Sequence, residues 1–336
     1  MSYSSHHLNE SFSHIYVEKS IIDSNNVLIV KKKFPRAKIV EIEHYKDVFN
    51  RPSQEYREQK KSLSLILARK EEPYLYRGSQ FSDDFGFENF FYTPSMLNCL
   101  YDCEYCYLQG MYQSASIVLF TNTEDFFAQL KPYLEKPTLV AISYDTDLLA
   151  FDPLNQVEQW LNFASIEQNL HIELRTKSAN YRPLQKLEPN DRVTLAWTLS
   201  PQSIIDRYEH KTPSLQKRLD AIKVLSDAGW RVRICFDPML DVEDFDAIYK
   251  PFVDKVFSEL DADKLSECTI GTFRIGNKHL KNIKKMQHSA LAFYPYVIQN
   301  DMALYPQDRN SYLINSIKSK VIKHMPIQKV RTWQEQ

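Results

Sequence analysis

From about residue 90 onward the chain alternates short β-branched or aromatic runs with longer segments of helical period, and this alternation is the strongest limit on what it can fold into. The strand-like runs are FFYT (90–93), TLVAIS (138–143), HIELR (171–175), RVTLAWTL (192–199), RVRICF (231–236) and CTIGTFRI (268–275). Between them lie TEDFFAQLKPYL, LNQVEQWLNFASIEQ, SLQKRLDAIKVLSDAG and VEDFDAIYKPFVDKVFSEL, each with apolar residues at helical spacing. Ser214 and Asp241 suit the N-cap positions of the last two, because each side-chain oxygen can accept from a free N–H of the first turn. Gly229 is a stop signal for the third. Repeated strand and helix units build a parallel sheet. Six of them fit an α/β fold with a partial (β/α)6 TIM-type barrel better than a closed eight-stranded one, and such barrels carry their chemistry on the loops after strand C-termini.

The rest of the chain divides around that core, taken as residues 90–277. Residues 1–89 read as an accessory α/β region in which VLIVKKKF and KSLSLILARK are strands around a polar helical stretch, YKDVFNRPSQEYREQKK, interrupted by Pro52. Residues 278–336 form a C-terminal extension, aromatic and basic, with KHLKNIKKM, FYPYVIQ and SIKSKVIKHMP. There are no internal repeats. A total of 42 lysines and arginines against 43 acidic residues excludes a histone-like or acidic-tail character but leaves room for a local basic patch. No run approaches eighteen apolar residues, and the start MSYSSHHLNESFSH lacks the pattern of a signal peptide, which predicts a cytoplasmic protein with no membrane partner. Six glycines give no support to a Gly-rich phosphate loop.

Three of the five cysteines fall in CLYDCEYCYLQG, on the loop after the first strand. Cys99, Cys103 and Cys106 have metal-ligand spacing, and a disulfide framework does not suit a cytosolic chain of this size. A cubane [4Fe–4S] cluster normally takes four thiolates, so three local ligands leave one iron open. An open iron can chelate a small molecule through an amine and a carboxylate, and S-adenosylmethionine offers both. Structural zinc is the alternative, but it needs a fourth ligand, and neither Cys235 nor Cys268 lies in a second CxxC pair. Those two sit inside apolar strand patterns and read as small core residues.

The pattern C-x3-C-x-aromatic-C after a first barrel strand resembles the radical S-adenosylmethionine superfamily. Within it, CEYCYLQ resembles the spore photoproduct lyase family, as do KKSLSLILARK, ELRTKSAN, WTLSP, TPSLQKRLDAIKVLSDAGWRV and FRIGNKHLKNI, so that the likeness runs from roughly residue 15 to residue 320. The resemblance implies a [4Fe–4S] cluster, S-adenosylmethionine, a flavodoxin- or ferredoxin-like electron donor, and reversal of a thymine-thymine photolesion in DNA. It makes Cys99, Cys103 and Cys106 the cluster ligands. Tyr105 and Tyr107 match the tyrosines that flank the third ligand, assigned to cofactor contact and radical return. Lys177 matches a lysine that pairs with the cofactor carboxylate, and Thr198 falls where the family has a serine hydroxyl near the cofactor.

One departure bears on the chemistry. The family places a hydrogen-donating cysteine in a segment of the form C-T-S-D, and the matching stretch here is ISYDTDLLAFD. Aligning Asp147 with the final aspartate puts Tyr144 at the donor position and Thr146 at the serine; a shift of one residue puts Ser143 there. Neither is a thiol. A tyrosine O–H is weaker than a serine O–H and is the better hydrogen donor, so Tyr144 is the expected donor, aided by Tyr105 or Tyr107. The missing thiol also supports a second reading, a radical enzyme of the same architecture acting on another nucleic acid or a peptide. A third is a nonenzymatic iron–sulfur protein, which has no need of an open iron. For DNA, Lys278, Lys281, Lys284 and Lys285 offer phosphate contacts and Phe293, Tyr294 and Tyr296 an aromatic rim.

Overall fold

The computed structural model describes residues 12–79 and 82–333; the first eleven residues, read above as lacking a leader, and residues 334–336 lie outside the described residues. The six expected core strands are Asn89–Tyr92, Thr138–Ala141, Leu170–Thr176, Val193–Thr198, Arg231–Met239 and Leu265–Thr272. Each pairs in parallel with the next. Short edge strands complete the sheet, Tyr76–Arg77 antiparallel beside the first and Val330–Thr332 parallel beside the sixth. The two edges do not pair with each other among the described residues, so the barrel stays open. Phe85, from the segment between Tyr76–Arg77 and the first core strand, meets the other side of the sheet: Arg233 stacks 3.7 Å from its ring centroid and Arg331 of the last strand 5.5 Å from it.

Period-two alternation explains why the interior is a cavity. In the fifth strand Val232, Ile234 and Phe236 are buried, and Phe236 packs edge-on against Phe252 of helix Phe245–Glu259. The alternate residues Arg233, Cys235 and Asp237 line the inside, as do Glu173 and Arg175 of the third strand. A filled barrel places Val, Ile and Leu there. Charged groups in those positions keep the space open for a polar ligand.

A second sheet, of order Lys38–Ile42, His14–Glu18, Leu65–Ala68, Ile117–Phe120 and Met96–Leu97, joins the N-terminal region to the core. Two of its strands come from beyond residue 90. KSLSLILARK supplies the strand Leu65–Ala68 as expected, and the stretch around Pro52 splits into helices Lys46–Phe49 and Tyr56–Lys61. VLIVKKKF is a correction: it lies in helix Asn25–Lys33. Ser24 caps it by accepting from the Val27 N–H, Val27 and Val30 bury one face, and three lysines sit at the negative end of the helix dipole. The apolar run was too short for periodicity to separate strand from helix.

Ser214 is an N-cap, accepting from Lys217 N at 3.5 Å, and Gly229 follows its helix with φ +91°. Asp241 is not a cap. Helix Phe245–Glu259 begins after Asp244, and the Asp241 carboxylate instead holds Arg309 at 2.6 Å and the Tyr294 hydroxyl at 2.7 Å. In the C-terminal extension, KHLKNIKKM lies in helix Asn277–Met286, which packs on the short helix Leu108–Met111 just past the cysteines. The approach is close: a Cβ on Gly110 would stand 2.2 Å from the His279 carbonyl oxygen, and Asn282 donates to the Gly110 carbonyl at 2.9 Å. Because the obstacle is backbone, Gly110→Ala must push the helices apart, at a cost of about 1–3 kcal/mol. The expected result is a lowered denaturation midpoint, and an unchanged midpoint would show that the pair yields freely.

Candidate active site

The chain after the first core strand is built into a fixed cradle for the cysteines. Lys60, itself buried, donates to the carbonyls of Cys99 and Tyr101, each at 2.7 Å. Asp102–Cys103 pairs antiparallel with Glu209–His210, and Gln109 donates to the Cys103 carbonyl at 2.6 Å. These contacts tie the loop to the helix before the sheet and to the turn after the fourth core strand. The loop's shape is therefore set by the scaffold.

All nine residues expected at the site, Cys99, Cys103, Cys106, Tyr105, Tyr107, Tyr144, Thr146, Lys177 and Thr198, line one cavity of about 1220 Å³. It opens at the C-terminal ends of the core strands, where the barrel argument put it. The lysines of helix Asn277–Met286 also line it, while Leu280 and Ile283 bury the opposite face. The expected aromatic rim is a correction: none of Phe293, Tyr294 and Tyr296 lines the cavity, Phe293 being exposed, Tyr294 spent on Asp241 and Tyr296 donating to the Leu291 carbonyl.

The cysteines form a three-thiol set in low-dielectric surroundings. Burial pushes the Cys99 thiol up to about 12 and raises Cys103 and Cys106 as well; Lys60 beside Cys99 and Lys177 beside the other two pull the opposite way. Desolvated thiols beside lysines suit deprotonated ligands whose charge a metal cluster offsets. All three thiols line the same cavity, and neither Cys235 nor Cys268 lies on their loop.

The tyrosines divide by what their hydroxyls do. Tyr105 donates to the buried Glu209 carboxylate, which also pairs with Arg218 at 2.5 Å, and the Lys177 ammonium lies 5.4 Å from the Tyr105 ring centroid. Its hydroxyl is committed, and its ring steers the lysine. Tyr107 donates to the backbone carbonyl of Tyr144 at 2.7 Å. Tyr144 stacks on Tyr92 at 4.3 Å, and its hydroxyl is 3.2 Å from Ser82 Oγ. Ser143 is tied into the sheet, its Oγ donating to the Arg175 carbonyl and accepting from the Arg175 N–H, both at 2.7 Å. That leaves Tyr144 with the more available hydroxyl of the two donor candidates. Thr198 accepts from Arg175 Nε at 3.3 Å, and Thr146 contacts Met96 Sδ at 3.5 Å.

Sequence reasoning missed a set of charged neighbours. Asp237 accepts from Arg175 at 3.0 Å and Arg274 at 2.8 Å; burial alone would raise its carboxyl, but the two guanidinium groups hold it well below the usual carboxylate range. Arg274 also stacks on Trp333 at 4.4 Å. Asp145 and His279 join the lining beside Tyr107. The inward strand positions of Arg175 and Asp237 were readable from period-two alternation, whereas Trp333 arrives from the far end of the chain and left no local signal.

The family model for spore photoproduct lyase matches residues 24–295, more than half of the chain and all of the cavity's core strands. The chain belongs to the spore photoproduct lyase family. Among curated family members, spore photoproduct lyase of Geobacillus sp. (strain Y412MC61) is 21% identical over 182 residues, covering 52% of this chain and 53% of the relative. That of Clostridium acetobutylicum is 22% identical over 200 residues, covering 57% and 59%. The chain thus spans about half the length of the curated relatives it matches. Solved family structures share the fold throughout. A variant spore photoproduct lyase with dinucleoside spore photoproduct superposes with a TM-score of 0.82 at 16% identity, over 96% of this chain and 98% of the other. A second, with bound AdoMet and the same dinucleoside, gives 0.82 at 16% over 97% and 99%. The partial barrel is therefore the family's fold. No helix among the described residues is long and apolar enough to cross a membrane.

Proposed function

We propose that this protein is a radical S-adenosylmethionine lyase that reverses a thymine dimer photolesion of the spore photoproduct type in DNA. The observation that carries the reading is the meeting, in one cavity, of the three thiols on the loop after the first core strand with Tyr144 and Lys177, which follow the ends of the second and third core strands. Cys99, Cys103 and Cys106 would hold three irons of a [4Fe–4S] cluster. Together with S-adenosylmethionine it would supply the radical that abstracts hydrogen, and a flavodoxin or ferredoxin is the class of partner suited to reduce it.

The chain's own residues orient and protect. Lys177, held by the Tyr105 ring and by Asp147 through its backbone N–H at 2.7 Å, is placed to pair with the cofactor carboxylate. Thr146 and Thr198 complete that wall. Lys278, Lys281, Lys284 and Lys285 at the rim suit phosphate contacts on a strand whose damaged bases are extruded into the cavity. Removal of a hydrogen atom from the lesion breaks the methylene bridge and leaves a thymine radical; Tyr144 gives the hydrogen atom that quenches it, and the tyrosyl radical so formed is restored by one electron from the flavodoxin or ferredoxin and one proton, with Tyr107 fixing the backbone beneath it. We place this work in the cytoplasm.

The test is anaerobic reconstitution, reduction, and incubation with S-adenosylmethionine and the dinucleoside lesion. Repair to the thymine dinucleoside is expected. Formation of 5'-deoxyadenosine without repair would favour the second reading, a radical enzyme with another nucleic acid or peptide substrate, which the absence of a thiol at Tyr144 supports. Cluster uptake without either product would leave the nonenzymatic reading. For the donor, Tyr144→Phe removes one oxygen and keeps the stack on Tyr92. Its expected effect is a several-fold rise in abortive products at nearly unchanged 5'-deoxyadenosine formation, read by chromatography of the products. Unchanged product quality would take Tyr144 out of the mechanism.

A further inference from the structure

Three buried carboxylates face the cavity, and they differ in how they are satisfied. Asp147 accepts from Thr176 Oγ1 at 2.7 Å, from Lys177 N at 2.7 Å and from Ala150 N at 3.1 Å. Asp237 is clamped by two arginines. Asp145 is 4% exposed, and among the described residues its carboxylate has one hydrogen bond, a long one from the Tyr107 hydroxyl at 3.4 Å. It has no ion pair with any described lysine, arginine or histidine. Tyr107 gives its better hydrogen bond elsewhere, to the Tyr144 carbonyl.

A buried carboxylate so poorly paired costs stability, and proteins tolerate such a group where a ligand completes it. Burial pushes Asp145 up to about 6, with the Tyr107 hydroxyl pulling the other way, and that hydroxyl at 3.4 Å is its one hydrogen-bond donor among the described residues. In the C-T-S-D pattern the position is a threonine, where this chain has a carboxylate. What is missing is a neutral or cationic N–H donor, placed beside Tyr144.

We propose that Asp145 is a specificity-determining residue whose carboxylate accepts the imide N3–H of a pyrimidine ring of the lesion. The inference rests on the repair reading above. A thymine ring and its dihydro form both carry that N–H between two carbonyls, and a carboxylate accepts it without needing a proton of its own. A hydrogen bond to a charged group of this kind changes affinity by about 10- to 100-fold. The contact also holds the ring against the Tyr144 side of the cavity.

The experiment uses the reconstituted full chain with the dinucleoside lesion and with its N3-methylated analogue. Asp145→Ala is expected to raise the lesion KM by about 10- to 100-fold with a nearly unchanged kcat and an unchanged KM for S-adenosylmethionine. Asp145→Asn, which keeps a carbonyl acceptor and the side-chain shape, is expected to recover part of the loss. Wild-type protein should handle the methylated analogue as poorly as Asp145→Ala handles the parent lesion, and methylation should cost that variant little more. The methylation arm needs no variant to fold. Equal methylation losses in wild type and Asp145→Ala, or a shift confined to the S-adenosylmethionine KM, overturn the proposal while leaving the repair reading standing. A wild-type protein that forms 5'-deoxyadenosine but leaves both lesions intact overturns the repair reading and this inference with it.

Discussion

Replacing any one of Cys99, Cys103 and Cys106 by alanine is expected to remove most of the bound iron and sulfide after reconstitution and to lower S-adenosylmethionine cleavage by more than about 100-fold. The scale follows from what metal sites show when only an outer partner is lost, 10- to 100-fold, so loss of a ligand itself exceeds it. The three thiols sit on one loop and line one cavity, so the loss of any one leaves the cluster with two local ligands. Cys235→Ala and Cys268→Ala are the controls. Both thiols are buried, Cys235 in the cavity wall and Cys268 in the sheet, and their loss should cost packing while leaving the iron content at the wild-type level. Iron and sulfide assays read the first outcome directly. A Cys103→Ala protein that keeps full iron and cleaves S-adenosylmethionine would falsify the ligand assignment.

How much of this site was legible beforehand depended on whether the signal was local. The cysteines announce themselves by spacing within eight residues, and the six core strands by apolar runs bounded by helical segments. Lys177 was readable from the resemblance of ELRTKSAN to the family, and its place at a strand end on the catalytic face supported it. Helix Asn25–Lys33 was misread because VLIV is apolar at every position, and only the capping Ser24 and the buried spacing of Val27 and Val30 resolve it. Asp241 looked like a cap because a carboxylate before a helical pattern usually is one; its partners, Arg309 and Tyr294, lie more than fifty residues away. Asp145 was passed over for Asp147, two positions on, because sequence shows a carboxylate but not whether anything satisfies it.

Arg218→Met is expected to lower stability by about 3–5 kcal/mol and to weaken cluster uptake although the residue is not itself a ligand. Arg218 and Glu209 are fully buried, and breaking a buried pair by removing one partner leaves an uncompensated charge. Arg218 also donates to the Thr198 carbonyl at 3.1 Å and to Thr212 Oγ1 at 2.7 Å, and Glu209 accepts from Ser200 Oγ at 2.9 Å and from Tyr105. The pair therefore joins the fourth core strand to the turn Glu209–His210, against which Asp102–Cys103 is laid. In the native protein burial would raise the Glu209 carboxyl, but Arg218 and Lys177 hold it below the usual range. Without Arg218, burial dominates and Glu209 should titrate above its unfolded value. A folded-state pKa raised in this way makes the variant lose stability as pH rises through it, so the deficit should be largest at neutral pH and smallest below about pH 4. Adding Glu209→Leu removes the stranded charge and should restore part of the stability, since apolar replacement of a buried pair is often neutral. It should not restore cluster uptake, because Tyr105 then has no acceptor and the lysine beneath its ring loses its guide. Denaturant midpoints across pH, with iron content on the same samples, separate the two effects. If the double variant regained both, the pair would serve stability alone and the cysteine loop would owe its shape to Lys60 and Gln109.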